Sequence, residues 1–324
     1  MGEKTVYMCV STDTISPDII IYNTLIFKYM PHGYNIKNNI INTLSYYISY
    51  DLPIVKTLHY EMYSFGNDDL LPAWRRFVHN RQTYYIAMQN PITNGLNCVV
   101  SWHPMFDAYL SEFTLALPPK FQGKDKIIMY EPHHSMGNPH STSFHMYYKQ
   151  MLVQLNKYPN IGFVFKPHPL LKQVIRNCEE NHTSGMPTLK EYEEYCRLWA
   201  ESSNGVIVDD SSFIDWFRQC DCLITCRFSF MNSWLPTEKP LIYLKCPSDS
   251  DDFSEYVYGH NVPMIESYYI CDNEPDIKKL IEEVVIGGVD PKADKRKLQK
   301  DILVHNLGNA GEFIADYIER QLKE

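Results

Sequence analysis

Residues 161–169 have the sequence IGFVFKPHP, in which an apolar run ends in a polar loop that carries two prolines. A strand that helices cover on both faces has such an unbroken apolar run. The same order, an apolar run and then polar residues, recurs at residues 126–134, 205–212 and 222–229. Segments with helical spacing of apolar residues alternate with these runs, at residues 141–158, 189–203, 213–219 and 231–237. Strands that alternate with helices predict a parallel, doubly wound α/β sheet.

The first half of the chain has a weaker pattern. Its strand candidates are residues 5–10, 18–22, 53–59, 84–88 and 97–102. A polar segment at residues 120–124, KFQGK, is the candidate linker. We therefore expect two α/β domains, residues 1–122 and 123–324, with a last helix over residues 295–321. Two Rossmann-like domains that face each other across a cleft, with a C-terminal helix crossing back, form the GT-B architecture.

The composition argues against several classes of protein. The formal net charge is -9 at pH 7, whereas a protein that binds nucleic acid usually has a basic surplus. We expect neither a membrane span nor a signal peptide, because no apolar run is long enough and the first residues are polar. The nine cysteines, an odd number, indicate reduced thiols and a cytoplasmic protein. Cys220, Cys222 and Cys226 lie in or beside an apolar run, and we interpret them as core thiols, not zinc ligands.

Polar residues gather at the ends of four predicted strands. Because the carboxyl ends of parallel strands meet at one edge of the sheet, side chains that follow them can form one site. The candidates in strand order are His133 and His134, then Lys166 and His168, then Asp209, Asp210 and Ser211, then Arg227 and Ser229. Cationic side chains and the N–H groups of helix starts can hold phosphate charge, and histidine suits proton transfer.

Several of these residues also have a purely structural interpretation. His168 stands between two prolines and can be a rigid turn residue, while Ser211 can cap the next helix. Asp209 and Asp210 can simply favour the positive end of that helix. Apart from the loop at residues 249–252, DSDD, the sequence has no Asp-x-Asp pair that could present two carboxylates to a metal, and we interpret that loop as a solvated turn. We predict no metal in the site and no cofactor.

The motifs, in this order, resemble those of the CDP-glycerol glycerophosphotransferase family, which includes teichoic acid polymerases and capsule polymer transferases. Residues 127–134 are similar to a strand with a Pro-Thr-Trp-Arg-like loop, and residues 165–169 to an Arg-x-His-Pro-like motif. Residues 221–229 are similar to a Thr-Asp-Tyr-Ser-Ser-like loop, and residues 308–318 to the family's closing helix. The resemblance covers about residues 125–320 and implies a GT-B-like fold.

The resemblance also implies a reaction and its residues. A hydroxyl of a glycan or lipid-linked acceptor attacks the β-phosphorus of a CDP-activated polyol, and CMP leaves. Residues 29–34, YMPHGY, are similar to a family segment whose His-Gly pair carries a catalytic histidine, which points to His32 as the base in the acceptor-side domain. His168 would contact the transferred phosphoryl group. The residues that would bind the nucleotide and its phosphates are His133, His134, Lys166, Asp209, Asp210, Ser211, Arg227 and Ser229.

The sequence leaves alternative functions open. Lys166 replaces the family's arginine, and Ser229 is the one serine of its loop, so the donor could be another nucleotide. A GT-B glycosyltransferase that uses a sugar nucleotide is one alternative. A non-catalytic family member that binds a nucleotide or a partner protein is another. Peripheral association with the inner face of the membrane also stays open, because family members act on lipid-linked chains.

Overall fold

The computed structural model describes residues 17–23, 36, 43–49, 54–56, 72–112, 115–134, 138–209 and 213–323. The chain divides into two compact units, Met1–Asp107 with Leu303–Glu324, and Ala108–Ile302. Each unit is built on its own parallel sheet with interleaved helices. The two-domain α/β fold expected from the sequence is confirmed.

The first unit contains a four-stranded sheet in the order β1-β2-β3-β4. The strands are β1 (Ile19–Tyr22), β2 (Leu44–Ile48), β3 (Arg75–Val78) and β4 (Cys98–Val100). All neighbouring pairs are parallel. Helix α1 (Arg81–Ala87) connects β3 to β4, and a 3-10 helix, Pro104–Tyr109, follows β4.

One strand prediction in this unit is wrong. Residues 84–88 were expected to form a strand, and all but the last lie in α1. The side-chain oxygen of Asn80 accepts the backbone N–H of Thr83 at 2.8 Å, which caps the helix and satisfies one of its first N–H groups. The strands expected at residues 18–22 and 97–102 are confirmed by β1 and β4. Residues 5–10 and most of 53–59 lie outside the described part of the chain.

The second unit contains a six-stranded parallel sheet in the order β10-β9-β8-β5-β6-β7. Its strands are β5 (Lys126–Glu131), β6 (Ile161–Phe165), β7 (Gly205–Ile207), β8 (Cys222–Thr225), β9 (Leu241–Leu244) and β10 (Tyr269–Cys271). The strands β5, β6, β8 and β9 are almost wholly buried, as their apolar runs predict.

Helices connect these strands in chain order. They are α2 (Phe144–Lys157), α3 (Leu171–Glu180), α4 (Leu189–Glu201), α5 (Phe213–Gln219), α6 (Met231–Trp234), α7 (Val262–Glu266), α8 (Glu274–Leu280) and α9 (Ala293–Leu303). A π-helical segment, Ile281–Ile286, continues α8. Aromatic side chains from α2 and α4 pack on β6, and Phe165 lies between Tyr195 and Trp199 at ring-centroid distances of 5.1 and 5.3 Å.

The strand order of the second sheet fixes the place of a ligand site. The chain runs outward from β5 through β6 to β7, and then returns to start the other half at β8. The order therefore reverses between the neighbouring strands β5 and β8. In open parallel sheets the crevice beyond the carboxyl ends of such a pair is where ligands bind.

The C-terminal region differs from its prediction in two ways. Residues 295–321 form two helices, α9 and α10 (Ala310–Lys323), because Asn306 (φ 47°) and Gly308 (φ 85°) adopt the left-handed conformation that stops a helix. Ile314 of α10 packs against Tyr46 and Phe77 of the first sheet. Contacts thus place residues 303–324 in the first unit, and they begin the second unit at residue 108, whereas the sequence suggested a boundary after residue 122. Among the described residues, no helix has the length and apolarity to cross a membrane.

Candidate functional site

Polar loops meet at the switch point of the second sheet. Glu131 at the end of β5 pairs in register with Thr225 at the end of β8. The loop after β6 is tied to the same place, because the backbone N–H groups of Lys166 and His168 donate to the carbonyl oxygens of Tyr130 at 2.9 Å and Pro132 at 3.2 Å. Backbone hydrogen bonds therefore bring three predicted loops to one edge.

Three histidines from two of these loops pack against one another. The ring centroids of His133 and His134 lie 4.5 Å apart, those of His133 and His168 4.9 Å, and those of His134 and His168 4.2 Å. One ring nitrogen from each residue lies within 4.8 Å of the others. The structure thus joins three residues that the sequence had named as separate candidates.

The three imidazoles are neutral at neutral pH. Burial, together with the nearby His134, His168 and Arg227, lowers the pKa of His133 to about 3. Burial, followed by the neighbouring His134, lowers the pKa of His168 to about 4. The pKa of His134 is also lowered by burial. A neutral imidazole offers one N–H donor and one lone pair, so the cluster can bind either an anion or a cation.

The ring of His168 has a preferred tautomer. Its Nδ1 accepts the backbone N–H of Leu170 at 3.1 Å, so in the neutral ring the proton is on Nε2. This contact agrees with the interpretation of His168 as a turn residue, which the sequence also allowed. It leaves Nε2–H as the donor that His168 can offer to a phosphate oxygen.

An acidic residue holds Arg227 beside the histidines. The guanidinium Nη1 of Arg227 lies 3.5 Å from Oδ1 of Asp249. The other carboxylate oxygen of Asp249 accepts the hydroxyl of Tyr243 at 2.5 Å and the backbone N–H of Cys246 at 2.8 Å. The Asp249 side chain is only 3% exposed, so the interpretation of residues 249–252 as a solvated turn is wrong for this residue. Its three polar contacts fix the carboxylate, and through it the arginine.

A buried carboxyl group, which the sequence analysis did not select, lies directly under the loops. Glu131 is 3% exposed, and its Oε2 accepts the hydroxyl of Thr225 at 2.7 Å. Burial raises the pKa of Glu131 well above its usual value, and the charge of the buried Lys166 acts in the opposite direction. The sequence did carry a signal for Glu131, because an acidic residue stands at the very end of an apolar strand.

The three cysteines that the sequence could have offered to a metal are buried in the core, as predicted. Cys220, Cys222 and Cys226 are fully buried. The Sγ of Cys226 accepts the backbone N–H of His133 at 3.3 Å, which ties the loop after β5 to the end of β8. A hydrogen bond from Cys246 lowers the pKa of the Cys226 thiol, and burial acts in the opposite direction. Cys226 therefore helps to fix the position of the loop that carries His133 and His134.

The other predicted residues are placed less centrally or lie outside the described chain. Asp209 is exposed and follows β7, the edge strand, which β6 separates from β5. Ser229 belongs to a 3-10 helix, Phe228–Phe230, and of Ser229 only the backbone is described. The candidates His32, Asp210 and Ser211 lie outside the described residues. The structure thus brings together His133, His134, Lys166, His168 and Arg227.

Solved structures share this architecture at low sequence identity. S. aureus MnaA, solved with UDP, has a TM-score of 0.63 and 12% identity, over 96% of this chain and 78% of that chain. The wall teichoic acid polymerase TagF has a TM-score of 0.60 and 17% identity, over 94% and 73%. A UDP-N-acetylglucosamine 2-epimerase has a TM-score of 0.59 and 13% identity, over 95% and 73%. No protein-family model matches the sequence, and no curated protein matches it.

These likenesses establish the fold. The chain has the two-domain, GT-B-like α/β architecture of these enzymes. The neighbours include a teichoic acid polymerase, the kind of enzyme found in the family that the motifs resemble. They also include MnaA solved with UDP and a UDP-N-acetylglucosamine 2-epimerase, with TM-scores of 0.63 and 0.59, so the fold is common to more than one nucleotide chemistry.

Proposed function

We propose that this chain transfers a polyol phosphate, such as glycerol phosphate, from a CDP-linked donor to a hydroxyl of a glycan or lipid-linked acceptor. The observation that carries the proposal is the meeting of His133, His134, His168 and Arg227 at the switch point of the second sheet. A diphosphate needs several positive or N–H groups converging on its oxygens, and this edge supplies them.

Each residue has a role in this proposal. Arg227 and Lys166 hold the negative charge of the donor's diphosphate, and His133 and His134 donate hydrogen bonds to it. Asp209, Asp210, Ser211 and Ser229 contact the nucleoside and its phosphates. His168 donates Nε2–H to the phosphoryl group in transfer, which its tautomer allows. The first unit, Met1–Asp107 with Leu303–Glu324, binds the acceptor, and His32 is its base; the second unit, Ala108–Ile302, binds the nucleotide.

The step is a substitution at phosphorus. The acceptor oxygen forms a bond to the β-phosphorus of the donor, and the bond from that phosphorus to the bridging oxygen breaks. CMP leaves with the bridging oxygen, and the acceptor's proton passes to the base. Positive charge from Lys166 and Arg227 stabilises the phosphoryl oxygens, so the step requires no metal in this account.

The likeness to TagF supports this donor class. TagF is a wall teichoic acid polymerase, and one of its solved structures carries CDPG. The strand-end loops of this chain follow the order that the polymerase family has. We also propose a cytoplasmic location, at the inner face of the membrane where a lipid-linked acceptor would be reached.

A turnover assay tests the proposal. The purified chain is incubated with CDP-glycerol and a glycerol-phosphate-primed glycan, and CMP release is measured by chromatography. We expect CMP release that His168→Gln slows about 10²–10⁴-fold and that His182→Asn, a change in an exposed turn of the second unit, leaves intact. The same assay with His32→Ala tests the base: we expect kcat to fall about 10²–10⁴-fold with nucleotide binding retained.

A UDP-sugar enzyme is the second candidate. It is favoured by the fold likeness to MnaA solved with UDP and to a UDP-N-acetylglucosamine 2-epimerase. Such an enzyme would act on a UDP-sugar and leave CDP-glycerol intact. A chain that binds CDP but turns over neither donor would instead be a non-catalytic nucleotide-binding protein.

A further inference from the structure

The three-histidine cluster has the composition of a metal site. Among the residues that the structure describes, His133, His134 and His168 are the one group of three His, Cys, Asp or Glu side chains with ligand atoms this close, all within 4.8 Å. The sequence has no pair of cysteine knuckles, and its one Asp-x-Asp pair lies at residues 249–252. The sequence alone could not reveal this group, because the third histidine comes from the loop after the next strand.

We propose that these three imidazoles bind a borderline transition-metal dication, of the class of Zn²⁺, Co²⁺ or Ni²⁺. An all-nitrogen set selects such ions over Mg²⁺ and Ca²⁺, which prefer oxygen ligands. Three protein ligands leave at least one coordination position for water or an anion. The metal uses the imidazole nitrogens that donate to phosphate in the proposed transfer, so metal binding and donor binding are alternative states of this site, whichever nucleotide the chain uses.

The geometry needs only small adjustments. With Zn–N bonds of about 2.0–2.1 Å, ligand nitrogens in a tetrahedral site lie roughly 3.3 Å apart. The three ligand nitrogens now lie within 4.8 Å of one another, so each ring must move by about 1 Å to reach the tetrahedral separation. Side-chain rotation can supply that movement. The backbone beneath is already fixed, by the His133 N–H that donates to Cys226 and by the His168 N–H that donates to Pro132.

Two features oppose tight binding. Coordination through Nε2 of His168 moves the ring proton to Nδ1, which then loses the hydrogen bond from Leu170. The positive charge of Arg227, close enough to affect His133, repels a dication. We therefore expect micromolar affinity, with an anion such as chloride or phosphate completing the coordination.

Cobalt is the probe for this site. Co²⁺ is titrated into the full chain, and the visible d–d absorption is recorded, since its intensity and position report nitrogen ligation and coordination number. We expect one saturable Co²⁺ per chain, displaced by Zn²⁺ and unaffected by millimolar Mg²⁺. His168→Gln and His133→Gln should each weaken binding at least 10-fold, while His182→Asn should leave it unchanged.

The same titration can overturn the inference. Absence of saturable Co²⁺ binding would do so, as would a Co²⁺ spectrum that His168→Gln and His133→Gln leave unaltered. Strong thiolate charge-transfer absorption that survives both substitutions would place the metal on cysteines instead, and would also contradict the proposal. Thermal unfolding of each variant is measured first; His168 is only half-buried, so its variant keeps the test decisive even where His133→Gln fails to fold.

Discussion

The carboxyl edges of the two sheets carry similar residues in different roles. At the first sheet, His103 shares a hydrogen bond with the Ser49 carbonyl through Nε2 at 2.6 Å and accepts the Met105 N–H through Nδ1 at 3.1 Å. Asn80 at the same edge caps α1. At the second sheet, His133, His134 and His168 pack on one another beside an arginine.

The difference shows what a polar residue after a strand can mean. In the first sheet these side chains close backbone hydrogen bonds, so their contribution is to stability. In the second sheet they leave imidazole groups clustered where an open parallel sheet binds ligands. His168 and His103 each accept a backbone N–H through Nδ1, so neither this bond nor a position after a strand distinguishes the two roles. The packing of three imidazole rings at the switch point does.

The largest expected effect comes from replacing one histidine at each edge in separate variants. His168→Gln should lower kcat about 10²–10⁴-fold and weaken donor binding, because it removes an N–H from the transferred phosphoryl group. His103→Gln should instead cost about 1–3 kcal/mol of unfolding free energy, because both ring nitrogens of this buried residue are engaged. Steady-state kinetics and chemical denaturation of both variants check this. A reversed pattern would show that the roles of the two edges are interchanged.

The next effect concerns the arginine. Arg227→Gln should raise the KM for the donor about 10–100-fold, because a charge-assisted hydrogen bond to phosphate contributes about 1.5–3 kcal/mol. Asp249→Asn should raise the same KM only a few-fold, since it removes the charge that orients Arg227 and keeps the guanidinium itself. Donor titrations of the two variants measure this. Equal effects would mean that Asp249 contacts the ligand directly.

A pH effect on stability should follow from the histidine cluster. The folded-state pKa values of His133 and His168, about 3 and about 4, lie below the ordinary 6.5. The unfolded chain therefore takes up protons that the folded chain refuses, and the unfolding free energy falls as pH drops from about 6.5 towards 4. Each histidine contributes a slope of at most about 1.4 kcal/mol per pH unit.

The double variant His133→Gln/His168→Gln separates the contribution of these two residues to the pH dependence of stability from that of the other histidines. Its unfolding free energy, measured by urea denaturation at several pH values, should fall less steeply between pH 6.5 and 4 than that of the unaltered chain. His103→Gln provides the comparison from the first edge. Parallel pH curves for the unaltered chain and the double variant would show that the cluster is not held neutral.

The smallest expected effect lies at the first edge. Asn80→Ala removes the cap of α1 and should cost about 1 kcal/mol of unfolding free energy, which is typical for loss of an N-cap. Nucleotide affinity should stay within experimental error. Thermal unfolding and a nucleotide titration of this variant suffice, and a clear loss of affinity would assign a binding role to the first edge.

The second sheet was more predictable than the first for a physical reason. Strands such as Ile161–Phe165 are covered on both faces, so their sequences are unbroken apolar runs. In the first sheet, Arg75–Val78 begins with two arginines, and Arg76 is buried, which no hydrophobic pattern signals. Residues 84–88 have the composition of a strand, but residues 84–87 lie in the helix Arg81–Ala87, which Asn80 caps.

The site was predictable only as a set of loops. Because parallel strands end at a common edge, the sequence placed His133, His134, His168 and Arg227 in one region. It could not supply the ring-to-ring contacts, which depend on the register of β5 against β6. Nor could it pair Arg227 with Asp249, which is 22 residues away and belongs to a stretch that has the composition of a solvated turn.

Calorimetric titration of the unaltered chain with CDP and with UDP tests the central claim most directly. The account predicts that CDP binds, that its affinity depends on His168 and Arg227, and that UDP binds more weakly. A ligand at about 100 times its Kd should also add roughly 2.7 kcal/mol to the unfolding free energy. If UDP binds well and CDP does not bind at all, the chain is not a CDP-polyol transferase.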